Sequence, residues 1–265
     1  MTNDDDDDDD EDAEGIIKDE HHDAIMLVQQ SDVDFREVAI AMWAHEEDAG
    51  VQMLGCCAIV RLLDDDNNRT MQTIPNDDDN DIQDSDNTDE KNAKTLRIAL
   101  TATASVVNAM KAHPNEMIVQ EKACRALQFL APADGRREVS MVASGAVASV
   151  VAAMQAHVGD ASVQEEACAA IGAIVKHGGG DRATVVASVS GVTAILNAIA
   201  AHPREVKVQQ QGLNALWQLT NFDANDASMP ELPRAQTEPL LAQAKEVFPN
   251  ECNELVGKLS ERMKE

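Results

Sequence analysis

Aromatic side chains are almost missing from this chain: they make up 2% of its 265 residues, and there is no tyrosine. That scarcity argues against β-sandwiches and barrels, whose strands draw on aromatic residues, and against the aromatic platforms on which single-stranded nucleic acids stack. Positive charge is scarce as well. Lys and Arg number 21 against 48 Asp and Glu, and the net charge of −27 repels DNA, RNA and anionic membrane surfaces, so a charged partner would be basic. No run approaches about 18 consecutive apolar residues, and the N-terminus is acidic where a signal or transit peptide would be basic. A soluble intracellular protein is expected, in the cytoplasm or the nucleus. The five cysteines, Cys56, Cys57, Cys124, Cys168 and Cys252, form an odd set without CxxC spacing, which fits reduced thiols and leaves the Asn68-Arg69-Thr70 sequon idle.

What the chain does have is concentrated acid. Residues 1–14 carry ten acids and no base, and Asp64–Glu90 carries eleven acids against Arg69 alone. Segments so poor in apolar residues cannot offset the entropy of ordering themselves, so 1–14 is expected as a disordered tail and 64–92 as a disordered insertion.

It also repeats itself. Ala41-Met-Trp-Ala-His45, Ala109-Met-Lys-Ala-His113, Ala153-Met-Gln-Ala-His157 and Ala198-Ile-Ala-Ala-His202 are each followed, six residues after the His, by Val-Gln at Val51, Val119, Val163 and Val208. The last three copies are spaced by 44 and 45 residues, and the first spacing, 68, is one period plus the acidic insertion. After each Val-Gln, apolar residues recur at three- and four-residue steps, as in Val119, Ala123, Ala126, Leu127 and Leu130, the pattern of a helix with one buried face. Gly145–Met154 reads as a middle helix before the His, and about Arg136–Ala143 as a shorter first one; Asp181–Ser188 repeats that first helix and Gly191 opens the next middle one.

A three-helix unit with a Gly entering its second helix and Val-Gln-x-x-Ala starting its third resembles the armadillo repeat. The likeness covers about Ala93–Thr220 well and Val33–Leu63 in part, with Thr237–Met263 a degenerate capping unit, since Phe248-Pro249 follows His202-Pro203 by 46 residues. It implies an all-α right-handed solenoid of four to five repeats. The domains would be the tail (1–14), N-terminal helices with a first repeat (15–63), the insertion (64–92), the repeats (93–220) and the cap (221–265). Stacked third helices would line a concave face that binds an extended peptide or another protein. Importin-like members carry a Trp six residues after the Val and an Asn four further on. Here Cys57, Arg125, Ala169 and Asn214 occupy the Trp place, and Arg61, Phe129, Ala173 and Gln218 the Asn place, so that ladder is missing and the acidic tail inverts the family's basic one.

The resemblance therefore implies a non-catalytic interaction module or scaffold, a monomer without cofactor, metal, nucleic acid or membrane partner. Its third-helix face would present Arg61, Glu121, Arg125, Gln128, Phe129, Gln210, Asn214, Trp217 and Gln218. Arg61 and Arg125 would favour an acidic ligand or the protein's own tail. Trp217 reads equally as a binding anchor or as a plug towards the cap. An acidic chaperone or charge mimic, binding basic proteins through its tail and insertion, is the alternative from another class.

Other chemistry fits poorly. The four repeat histidines end different middle helices, about 10 Å apart, too far to share an ion with bonds of about 2 Å. Cys56, Cys124 and Cys168 share a register that Leu213 completes, which marks a small apolar packing site with no adjacent base. The Asp77-x-Asp79-x-Asp81 run has Ile82 and Thr88 where a calcium loop needs Gly and Glu. Gly178-Gly179-Gly180 lacks the strand and the Lys-Ser or Lys-Thr of a phosphate loop.

Overall fold

The computed structural model describes residues 22–30, 33–72, 85–131, 145–178, 190–221 and 232–264. Among these it is all helix, eleven helices without a strand: α1 (22–29), α2 (Phe35–Ala44), α3 (Ala49–Gln72), α4 (Ser85–Ala112), α5 (Met117–Leu130), α6 (Ala146–Ala156), α7 (Ala161–Gly178), α8 (Gly191–Ala201), α9 (Val206–Thr220), α10 (Arg234–Val247) and α11 (Asn253–Arg262). The acidic tail 1–14 and the short helices expected near Arg136–Ala143 and Asp181–Ser188 lie outside the described residues. Helix occupies both ends of the acidic insertion, because α3 continues to Gln72 and α4 begins at Ser85; residues 73–84 lie outside the described residues. Extending a helix already anchored on a packed segment costs little.

The helices pack in two rows. In one, α3, α5, α7, α9 and α11 each contact the next; in the other, α2, α4, α6, α8 and α10 do the same. Rungs join the rows at α2–α3, α4–α5, α6–α7, α8–α9 and α10–α11. A single buried apolar cluster runs through them from Val33 to Leu259. It is built of Ala, Val, Leu, Ile, Met and Cys, and each large aliphatic side chain taken fully out of water contributes about 1.5–3 kcal/mol. No helix among the described residues is long and apolar enough to cross a membrane.

The fixed distance between His and Val-Gln has a physical cause in hydrogen bonding. Within each unit the Gln side chain reaches back to the end of the middle helix and donates to two carbonyls, of which the His oxygen also accepts a backbone N–H three residues on. Gln164 Nε2 donates to Met154 O at 2.8 Å and His157 O at 2.9 Å, and Gln52, Gln120 and Gln209 repeat the bonds to Met42 and His45, Met110 and His113, Ile199 and His202. These amides are buried, so each bond replaces water that has no access. Between units the His does the joining. The Nε2 atoms of His113, His157 and His202 lie 2.7, 2.9 and 2.9 Å from the carbonyl oxygens of Glu46, Pro114 and Val158, in each case the residue just after the preceding unit's His. Since a carbonyl only accepts, Nε2 carries the proton and donates.

Two units start their third helix with an Asp cap: Asp48 Oδ1 accepts from Val51 N at 2.9 Å and Asp160 Oδ1 from Val163 N at 2.8 Å, whereas Glu116 and Glu205 make no such bond. A capping box of Asp34 and Glu37 starts α2. The turn into the middle helix needs left-handed backbone. Gly145 takes it at φ 80°, but in the next unit Ser190 takes it at φ 62°, and Gly191, expected to open that helix, is already its first helical residue. In the last unit Phe248 adopts the backbone of the histidines, φ −129° and ψ 66° against −121° and 57° at His202, while Glu254 and Leu255 stand where Val-Gln would be. Neither has an amide side chain to bond the middle helix.

Candidate partner-binding face

The row of third helices carries the nine residues expected to meet a partner, in three groups. Arg61 lies on α3; Glu121, Arg125, Gln128 and Phe129 on α5; Gln210, Asn214, Trp217 and Gln218 on α9. Between them α7 presents Glu165, Glu166 and Ala173 partly exposed, with Ala169 buried.

Arg61 is committed elsewhere. Its guanidinium donates to the carbonyls of Val28, Gln29 and Gln30 at 3.3, 3.5 and 2.6 Å and so closes the C-terminal end of α1. Cations at a helix C-terminus meet both the unpaired carbonyls and the negative end of the dipole. Arg125 is engaged as well, pairing with Glu166 of α7 at 3.1 Å and lying 5.8 Å from the centre of the Phe129 ring. Half of its side chain remains exposed, so this pair is worth no more than about 1 kcal/mol. Burial pushes the Glu166 carboxyl above the usual range, an effect that Arg125 only partly offsets.

Charged residues absent from the expected set complete the pattern. Lys122 pairs with Glu121 at 2.6 Å, and Lys207 of α9 with Glu165 of α7 at 3.3 Å. On α11, Lys258 lies 5.7 Å from the Trp217 ring centre. That contact, with partial burial of Trp217 against the core, joins the two readings of this residue: it packs towards the last unit and keeps part of its ring in water. Gln218 donates to Asn214 Oδ1 and Gln210 to the carbonyl of Glu251, both at a long 3.4 Å. Periodicity could place these residues on one face. It could not pair them, because every inter-unit partner lies some forty residues away.

A small cleft of about 140 Å³ opens between α3 and α5, lined by Cys57, Val60, Lys122 and Arg125. Burial raises the Cys57 thiol despite Lys122, Arg125 and Arg61 nearby, so it stays a thiol at neutral pH. Cys56, Cys124 and Cys168 are wholly buried; burial pushes Cys168 up to about 12 and the other two still further. All five cysteines are unpaired. Among the described residues no three His, Cys, Asp or Glu side chains group as they would around a metal ion.

No family model, curated protein or solved structure matches this chain.

Proposed function

We propose that the chain is a non-catalytic interaction module: an armadillo-type solenoid whose third-helix face binds an extended peptide or the surface of a partner protein. The observation that carries this reading is the row α3–α5–α7–α9–α11, which holds two partly buried aromatic rings, Phe129 and Trp217, each beside a cation on a packed scaffold. Rings held in this way provide apolar contact area at little entropic cost, and the amides of Gln128, Asn214 and Gln218 supply donors and acceptors for a peptide backbone. The alternating charge pairs favour a ligand of mixed charge over a purely acidic one. Unpaired thiols fit a reducing compartment, cytoplasm or nucleus.

A photo-crosslinker at Gln128 of the intact chain tests the proposal, with one at the exposed Ala148 of α6 as control. A partner captured from Gln128 but not from Ala148, and lost in Arg125→Glu/Trp217→Ala, supports the face. Capture that survives those substitutions but disappears when residues 1–14 are removed would instead favour a charge mimic acting through its acidic tail.

A further inference from the structure

The row of second helices carries a feature that the proposed binding face does not use. Between α2 and α4 lies a groove of about 440 Å³ whose apolar wall is Phe35, Ile40 and Trp43 and whose polar wall is Arg36, Arg97 and Thr101. Trp43 is 51% exposed and Ile40 52%, although neighbouring Val38, Ala39, Ala41 and Met42 of the same helix are buried. The chain has only two Trp and four Phe, and one of each lines this groove. Large apolar side chains grouped in water mark a surface that something covers.

Charge indicates what kind of segment that is. Among the described residues no carboxylate lines the groove and neither Arg36 nor Arg97 forms an ion pair, whereas Arg61 and Arg125 on the opposite row are engaged. The matching chemistry is an acidic segment with bulky aliphatic side chains. Residues 1–21 lie outside the described residues and end at His22, where α1 begins; they contain Asp4–Asp10, Glu11, Asp12 and Glu14, followed at once by Ile16-Ile17. Fully extended, the five steps from Ile17 to His22 span about 17 Å and the eighteen from Asp4 about 60 Å, so Ile16-Ile17 stays near the start of α1 while the acidic run reaches further.

We propose that the α2–α4 groove docks the chain's own segment Asp4–Ile17, with Ile16-Ile17 against Trp43 and Ile40 and the acidic run on Arg36 and Arg97. Aliphatic contact gives the site its affinity and the two arginines set its direction. High salt weakens only the second component. The third-helix face stays open while the groove is filled, so this docking neither requires nor blocks the proposed binding function.

The test uses the full chain with Trp217→Phe, which leaves Trp43 as the only tryptophan, and reads acrylamide quenching of its emission. Ile16→Ser/Ile17→Ser and, separately, Arg36→Glu/Arg97→Glu should each raise the quenching constant about twofold and shift emission to the red, with helicity and thermal midpoint unchanged. Quenching that neither pair of substitutions alters overturns the proposal, as does a response to only one of them. Protection that disappears on dilution also overturns it, because the segment would then come from a second copy.

Discussion

His202 Nε2 lies 2.9 Å from the carbonyl oxygen of Val158, so one imidazole at the end of α8 closes the turn that follows α6 in the unit before. His202 is buried, and removing the ring leaves that carbonyl without its protein donor. His202→Ala should cost about 1–3 kcal/mol, read as a lower urea midpoint. An unchanged midpoint would remove the histidine as a joint between units.

The glutamine clamp responds to a change of a single atom. Gln164→Glu keeps the shape but turns a donor towards Met154 O and His157 O into an acceptor, so a buried carboxylate faces two carbonyls. The variant should lose about 2–3 kcal/mol at pH 7 and recover part of it in acid, where protonation restores one donor. Thermal melts at both pH values check this.

Ser190 holds left-handed backbone that Gly145 holds without a side chain. Ser190→Gly relieves that strain and should raise stability by about 1 kcal/mol, while Gly145→Ala should lower it by a similar amount. Opposite shifts in melting temperature are the expected result.

Small residues sit where each third helix crosses its middle helix, at Gly55, Ala123, Ala167 and Gly212. A Cβ at Gly212 would stand 2.7 Å from Ile199 Cγ1, and one at Gly55 would stand 2.5 Å from Met42 Cγ and 2.6 Å from its Sδ, inside a fully buried side chain. Alanine gains up to about 1 kcal/mol in helix propensity at either site. Gly212→Ala and Gly55→Ala should both be net destabilising, because neither neighbour can withdraw without repacking, and urea unfolding of the two variants checks this.

Glu166 gives a pH dependence of known sign. Its carboxyl is raised in the folded chain, so the protonated form is favoured by folding; this stabilisation is full below the ordinary glutamate range and is lost as pH rises through the raised value. Glu166→Gln, which never ionises, should therefore equal or exceed the parent in stability at neutral pH, with the gap closing in acid. Arg125→Gln should do the reverse, since it removes the cation that offsets the burial.

The two helices described in each unit were legible because their signals are local. Val, Ala and Leu at helical steps mark the buried faces, and the His to Val-Gln spacing repeats because the Gln bonds its own unit's backbone. Other features were not legible, for physical reasons. Gly191 opens α8 as expected, but the left-handed residue before it is Ser190, because tertiary packing can impose a backbone that propensity disfavours. Arg61 fell on the third-helix face by register, yet its partners at Val28–Gln30 belong to no repeat. Trp43 occupies a position filled by Lys111, Gln155 and Ala200 in the other copies, and its groove exists only because Arg97 arrives from beyond the insertion.

The three histidine joints between units end on main-chain oxygen, at Glu46, Pro114 and Val158, three residues with nothing chemical in common. A lock that recognises only the backbone makes no demand on its neighbour's side chains. Those joints therefore tolerate any residue in the neighbouring turn, and what stays particular to each seam is its apolar packing and the pairs Arg125–Glu166 and Lys207–Glu165.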